Sequence, residues 1–494
     1  MINIVSTAPR REAFLTAKVN TGSFGERDAA ISTGLPLTRH RLTFSSSYAE
    51  GDGDFTFRNN NGTEQTDGDD YWDTRRNNWH RSFSAAAAFN GKFTPGTHVR
   101  LAGEYFQSDR GVPGLITFPS DHAEQEDRRA IASFRAAHTP AMADGVLTVA
   151  LSGHLRRSTL NFRDPLGEQT GVPIDSSQTD TAVSVQSTAD WRLSSSASAD
   201  LTLCVDSETL SDRAFGEISR HGLAGILAFD LSLFRQRLHV HPVIRSEQIS
   251  DAGSHTTGRL SARWDVPGGW QLTGSWGQSF RAPGFNELYL QTGVIEGNPE
   301  LVSEHGTGGD VSVGYQRGSF HTRATAFRQN SRDLIQYVLI SGFRFKPFNI
   351  GRARTTGIEL ELSSGISTWV TASVNYTISR CLDLTDDPNW HGKQIPGRPE
   401  HDLSARIAAE GVPLRPFVEY QWLSGNYLTR ANTKWLDDRH LINAGLRLKL
   451  GSNWQAGAEV KNLGGQQAAD VRGFPLPPRG FVLSITCSLG GERP

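Results

Sequence analysis

Residues 51–73 gather six aspartates, Asp52, Asp54, Asp67, Asp69, Asp70 and Asp73, around Tyr71 and Trp72. Carboxylates at this density have the chemistry of a Ca²⁺ site, which takes about six to eight oxygen ligands. The candidate ligands are Asp52, Asp54, Asp67, Asp69 and Asp70. The spacing D-x-[DN]-x-[DN]-G-x₅-E is absent, so a solvated acidic loop without metal stands as the alternative. A second polar group, Arg281, Glu287, Tyr289, Asn298 and Glu300, lies in or near a long connection. With Tyr71 and Trp72 these residues are candidates for ligand contact. The competing reading is loop folding, with Pro283, Gly284, Gly297 and Pro299 setting turns.

Nothing else suggests catalysis. Fifteen histidines are scattered without metal-ligand clustering, and Cys204, Cys381 and Cys487 are far apart with no CxxC spacing. No Ser/His/Asp set, phosphate-cradling glycine loop or paired carboxylates emerge. The expectation is a protein that is not an enzyme and has no cofactor beyond the Ca²⁺ candidate. A net charge of −2 gives no electrostatic case for nucleic acid.

The elements that must position these groups have period two. LTVALSGHL (147–155) places Leu147, Val149, Leu151, Gly153 and Leu155 on one face and Thr148, Ala150, Ser152 and His154 on the other. WVTASVNYTI (369–378), LINAGLRLKL (441–450) and FVLSITCSL (481–489) repeat the pattern. No long amphipathic helix and no run of about 18 apolar residues occurs, which excludes a helical membrane protein but not a barrel.

Connections alternate. Short turns are expected at 34–40, 90–96, 194–198, 234–237, 267–269, 316–319, 363–368, 410–413 and 451–453. Between them lie long polar insertions at 50–78, 108–127, 156–180, 281–304, 380–399 and 424–438. Trp191, Trp270, Trp369 and Trp454 sit beside short turns, as an interfacial belt requires. In lipid every backbone N–H and C=O must be paired internally, so such a sheet has to close. The fold class expected is all-β: an antiparallel transmembrane barrel of about 22 strands, with short periplasmic turns and long extracellular loops. A mean hydropathy of −0.41 fits, because half of each strand and the long loops are polar.

SFRAPGFNELYLQTGVIEGNPELVSE (279–304) resembles a segment of TonB-dependent outer-membrane receptors, S-F-R-A-P…E-L-Y…G-N-P-x-L-x-x-E. The match includes Pro283, Glu287, Gly297 and Pro299. ATAFRQNSRDLIQY (324–337) and FNIGRARTTGIELEL (348–362) are similar to later strands of that family, the second through Asn349, Gly351, Gly357 and Glu359. GKQIPGRPEH (392–401), VKNLGGQQAADVRGFPLPPRGFVLSI (460–485) and SDRGVPG (108–114) follow its pattern too.

The resemblance implies a bacterial outer-membrane importer of a scarce nutrient, such as an iron–siderophore complex or cobalamin. It implies outer-membrane lipid, a small-molecule ligand and an energising TonB complex as partners, and a monomer. Ile2–Ser6 is similar to the last strand of the family's plug. Residues 1–10 are therefore expected to be a plug remnant and linker, and 11–494 the barrel, in a chain that lacks a TonB box and a signal peptide. The chain ends GGERP rather than on the family's usual aromatic residue. A plugless passive channel is the alternative function.

Overall fold

A computed structural model describes residues 12–63, 67–140, 146–169, 171–213, 216–291, 295–341, 344–471 and 473–490. The Ile2–Ser6 motif, and with it the proposed plug remnant, lies outside the described residues. Among the described residues, 22 strands form one sheet in which each pairs antiparallel with the next. The first, Phe14–Gly22, also pairs with the last, Gly480–Gly490, through Leu15↔Leu489 and Val19↔Ile485. The sheet is thus a closed barrel with no free edge, the condition that lets a β-structure span lipid. Among the described residues no helix is long and apolar enough to cross a membrane.

The period-two stretches became strands because alternation gives each strand one apolar and one polar face. LTVALSGHL lies in Val146–Asp164, where Val149, Leu151 and Leu155 are exposed on the outer wall. Their neighbours across the ladders keep the same face: Leu151↔Ser187, Gly153↔Val185 and Leu155↔Val183. Large apolar side chains exposed on every side of a protein are costly in water and are what hydrocarbon requires.

Four phenylalanines lie directly opposite glycines: Phe14↔Gly34, Phe134↔Gly153, Phe327↔Gly357 and Phe417↔Gly445. In each case a Cβ on the glycine would sit under 3.0 Å from the ring. The rings occupy the space that the glycines leave, a cross-strand device that pins register. At Gly357 the new Cβ would also meet the Ile378 carbonyl at 2.5 Å. We expect Gly357→Ala to lower the stability of the folded barrel by about 1–3 kcal/mol, the usual cost of overpacking, read from its urea midpoint in detergent.

The turns at one end are short, as expected. Trp191, Trp270, Trp369 and Trp454 are all exposed at that end, and the Trp270 ring packs 4.7 Å from Tyr315. At Gly269 the backbone takes φ 90°, and a side chain there would meet the Gln316 carbonyl at 2.2 Å. The turn at 234–237 is less legible: Phe234, Arg235 and Gln236 are all left-handed without a glycine.

The opposite end departs from strict alternation. Four connections there are short as well: 23–26, 213–215, 250–252 and 342–343. Much of the insertion read at 156–180 is strand, since Val146–Asp164 and Ile174–Ser194 pair along its length. Once a hairpin rises above the hydrocarbon both its faces are polar, so the period-two signal vanishes although the ladder continues. Phe320–Ser341 and Arg344–Gly365, 22 residues each, are the extreme case.

Candidate functional site

The long loops fold inward over the barrel mouth. In the 282–303 loop, the short helix Phe285–Tyr289 buries Phe285 and Leu288 against Leu210 and Leu301, with Ile218 and Ile335 packed around them. Leu210 and Ile218 pair on the face opposite the outward pair Val205 and Leu223, so they line the inner wall. Arg220, on the same wall, donates to both carboxylate oxygens of Asp251 and to the Pro283 carbonyl (2.9 Å), and lies 4.8 Å from the Phe285 ring. Four strands further round the barrel the 384–400 loop buries Ile395 against Ala353 and Cys381, with Leu334 packed against them. Asp383 receives two bonds from Arg430 (2.7 and 2.9 Å), which also lies 5.0 Å from the Trp390 ring.

Three loops from distant parts of the chain meet at a third point. The hairpin of Phe55–Asn59 and Tyr71–Arg75 reaches the last loop through Arg58 N–H to Gln467 Oε1 (2.9 Å). Arg75 is buried, donates to the Gly114 carbonyl (2.6 Å) and lies 5.6 Å from the Phe474 ring. Burial lowers its pKa to about 10, so it remains cationic at neutral pH.

Beside this, Glu168 accepts from Ser120 Oγ, from the backbone N–H groups of Asp121 and His122, and bonds His122 Nδ1, all within 2.9 Å. Partial burial opposes ionisation of Glu168, but the bonds from His122 and Ser120 outweigh it and hold its pKa at about 2. The same bond raises that of His122. The folded pKa of Glu168 lies below its ordinary 4.5, so its contribution is present above that value and is lost as pH falls towards 2. His122 works in the opposite sense: its contribution is present below 6.5 and is lost as pH rises through the raised value. The clamp is therefore tightest between the two. We expect Glu168→Gln to speed proteolytic cleavage of the 112–123 loop relative to wild type most strongly at about pH 5.5, and least at about pH 3.

The sequence candidates fall on this ring of loops. Arg281 gives two bonds to Glu287 (2.7 and 3.0 Å) and two to Glu304 (both 2.8 Å). Glu287 also accepts from the Gly284 N–H (2.8 Å) at the helix start. Asn298 is buried, donating to the Pro347 carbonyl (2.9 Å) and accepting from the Glu300 N–H (3.2 Å). Asn349 ties Val302 to the Asp333 carbonyl. At Gly297 a Cβ would lie 2.6 Å from the Leu288 carbonyl oxygen, and at Gly351 it would lie 2.5 Å from the Thr385 side chain. Pro283 offers its carbonyl to Arg220, Pro299 and Glu300 are exposed, and Glu359 lies on the inner wall beside Thr325 and Thr377.

Tyr71 and Trp72 are exposed, Trp72 at 69%, while the Tyr71 hydroxyl accepts from Asn59. The aspartates are dispersed among separate partners. Asp69 accepts from Thr63 Oγ1 (2.9 Å), Asp70 pairs with Arg58 (2.8 Å) and Asp73 accepts from Asn59 (3.1 Å). Asp52 and Asp54 are exposed. Burial, and then the charge of Asp52, raise the pKa of Asp54. Among the described residues no three His, Cys, Asp or Glu side chains converge as a metal site, and the Asp67 side chain is not among those described.

Arg75, Arg220, Asp383, Arg430, His122 and Glu168 were missed from sequence. Each is an ordinary charged residue in a polar stretch, and its partner lies in another loop.

A closed barrel with inward-folded loops at one end and tight turns at the other has a matching family profile. "TonB dependent receptor-like, beta-barrel" matches residues 20–463. The chain belongs to that family. Solved structures of similar fold include the copper transporter OprC, at TM-score 0.79 and 12% identity over 98% of this chain and 81% of that one. The siderophore receptor PirA from Pseudomonas aeruginosa aligns at 0.71 and 14% identity, over 98% and 82%. The FrpB iron transporter from Neisseria meningitidis aligns at 0.75 and 12%, over 97% and 81%. At these identities the likeness is one of fold. In this TonB-dependent receptor-like barrel the motif positions Gly297, Gly351 and Gly357 are each places where backbone or side chains press too close for a Cβ.

Proposed function

We propose that this chain forms the wall and mouth of an outer-membrane importer for a scarce nutrient, such as an iron–siderophore complex or cobalamin. The observation that carries this is the family match over residues 20–463. Two of the similar folds are named for siderophore or iron uptake. The loops support it, because they pack against inner-wall residues at the mouth, Phe285 and Leu288 on Leu210 and Ile395 on Ala353. Exposed Tyr71, Trp72 and Trp435 on those loops suit a large ligand with flat or ring-shaped parts. In the working receptor a TonB complex supplies the energy for release inward.

Titrating the detergent-solubilised chain with a ferric siderophore, and separately with cobalamin, tests the reading by tryptophan fluorescence. We expect saturable quenching by one of them, with the Trp72→Leu variant losing part of the amplitude. Absence of saturable quenching by either would overturn the nutrient class.

One observation favours a passive channel as a second reading. The inner wall is charged rather than merely polar: Arg135, Asp190, Asp200, Arg263, Asp265, Glu361, Arg406 and Glu419 alternate with lipid-facing residues. Charged rings are the lining of selective pores. Discrete conductance steps from the chain in a planar bilayer would favour this reading, and a silent bilayer would count against it.

A further inference from the structure

The outer wall of the barrel carries a groove of about 610 Å³. Phe89, Phe134, Leu155 and Val185 form its sides, and Gly103 and Ala132 its floor. The ladders place Gly103, Ala132, Leu155 and Val183 in one row across four strands. The next row towards the loops reads Tyr105, Ala130, Arg157 and Thr181. Arg157 therefore stands on the same outward face as Leu155, one strand repeat above it, at the level where the Tyr105 ring meets Phe83 (6.4 Å). Thr159 and Thr179, one row further up, bond each other (3.2 Å). The wall changes from apolar to polar between Leu155 and Arg157, so the edge of the hydrocarbon lies there.

Arg157 is exposed, and among the described residues no carboxylate lies within ion-pair distance of it. The nearby outward Arg128, by contrast, is paired with Glu126. A bare guanidinium on a lipid-facing wall is tolerated only at the interface, and an anionic oxygen there makes strong charge-assisted bonds with it. We propose that Arg157 and the groove beneath it form a docking site for one lipid with an anionic phosphate headgroup. The phosphate sits on Arg157 and an acyl chain lies along Leu155, Ala132 and Phe134. This rests on the reading of the chain as a membrane-spanning barrel. Charge complementarity selects the occupant: a second protein helix would fill the groove but leave the guanidinium unpaired.

Native mass spectrometry of the full chain in detergent micelles tests this, with dioleoyl phosphatidic acid against dioleoylglycerol, the same chains without the phosphate. We expect one phosphatidic acid per chain, retained about fivefold or more over dioleoylglycerol, roughly 1 kcal/mol of preference. Arg157→Gln should abolish the preference and Arg157→Lys should keep most of it. Ala132→Trp, or Gly103→Val where that variant does not fold, should reduce binding of phosphatidic acid by filling the groove. Equal retention by wild type and Arg157→Gln would overturn the proposal. So would complete displacement by millimolar inorganic phosphate, which would mark a site for a free anion. Heat-modifiable gel migration reads barrel folding separately, so loss of the barrel itself is told apart from loss of this site.

Discussion

Arg430→Ala should unfasten two outer loops at once. Asp383 ends the strand Val370–Asp383 with its side chain 1% exposed, while that of Arg430, in the 425–438 loop, is 27% exposed. The pair is therefore asymmetric. Removing Asp383 leaves an arginine that can swing to water and keep its contact with Trp390. Removing Arg430 leaves a buried carboxylate held only by Thr385, through its N–H (3.0 Å) and its hydroxyl. Breaking a buried pair from that side costs about 3–5 kcal/mol. The loss should be local. The 384–400 and 425–438 loops are joined further by Asn432, which bonds the Gln394 N–H and carbonyl (both 2.7 Å), by Gln394 to the Gly425 carbonyl (3.2 Å), and by the Gly397 N–H to the Tyr427 carbonyl. We expect Arg430→Ala to abolish hydrogen-exchange protection at Asp383, Ile395 and Gly397 while barrel strands keep theirs. Asp383→Ala should do less. Equal effects of the two variants would show that the burial asymmetry does not control the loops.

The barrel was legible because lipid imposes a strict rule on sequence. A strand that crosses hydrocarbon must alternate, and LTVALSGHL, LINAGLRLKL and FVLSITCSL do so in register with their neighbours. Closure follows from the unpaired edges that lipid forbids. The rule ends at the membrane surface. Beyond it RRSTLNFRD still pairs residue for residue, yet its side chains carry no period, so strand length was underread there and loop length overread. The turn Phe234–Arg237 lies where it is expected, but its backbone is not legible: three successive left-handed residues without glycine contradict local preference and are imposed by the strands on either side.

The mouth was only half legible. Residue types marked 279–304 as more than spacer, but not which residues would turn inward and which would stay free. That division is decided by partners in other loops. Asn298 is a candidate for ligand contact by residue type, and its side chain is buried and fastens Pro347. Arg75 looks like a solvated residue and is buried between Gly114 and Phe474. Pairing across 39 and then about 400 residues leaves no trace in local pattern. Trp72, opposite Arg58 in its hairpin and exposed, is a residue whose exposure local reading can anticipate, because a large aromatic side chain in a polar stretch needs no distant partner to stay exposed.

Arg281 is where the two readings of the mouth meet, and its replacement should have the second large effect. Four of its N–H donors are taken by Glu287 and Glu304, and a guanidinium has about five in all. Little capacity remains for an incoming anion. Its removal would leave two carboxylates, each about 17% exposed, facing one another without a counter-charge. Glu304 would still accept from the Ile335 N–H (2.7 Å) and Glu287 from Gly284, so both would be held in place and repel. An exposed pair would be worth about 0–1 kcal/mol. Two half-buried ones sharing a single arginine should cost about 2–3 kcal/mol when it is lost, between that limit and the buried one. The helix Phe285–Tyr289 should then leave Leu210, opening the mouth above the inner wall. Arg281→Lys cannot rescue this, because an ammonium reaches one carboxylate edge at a time. The triple variant Arg281→Ala, Glu287→Gln, Glu304→Gln removes the repulsion together with the cation. If Arg281 is a fastener, the triple variant should recover most of the helix's hydrogen-exchange protection. If it contacted ligand directly, the triple variant would restore protection but not ligand quenching of the loop tryptophans, and that split outcome would return Arg281 to the binding surface.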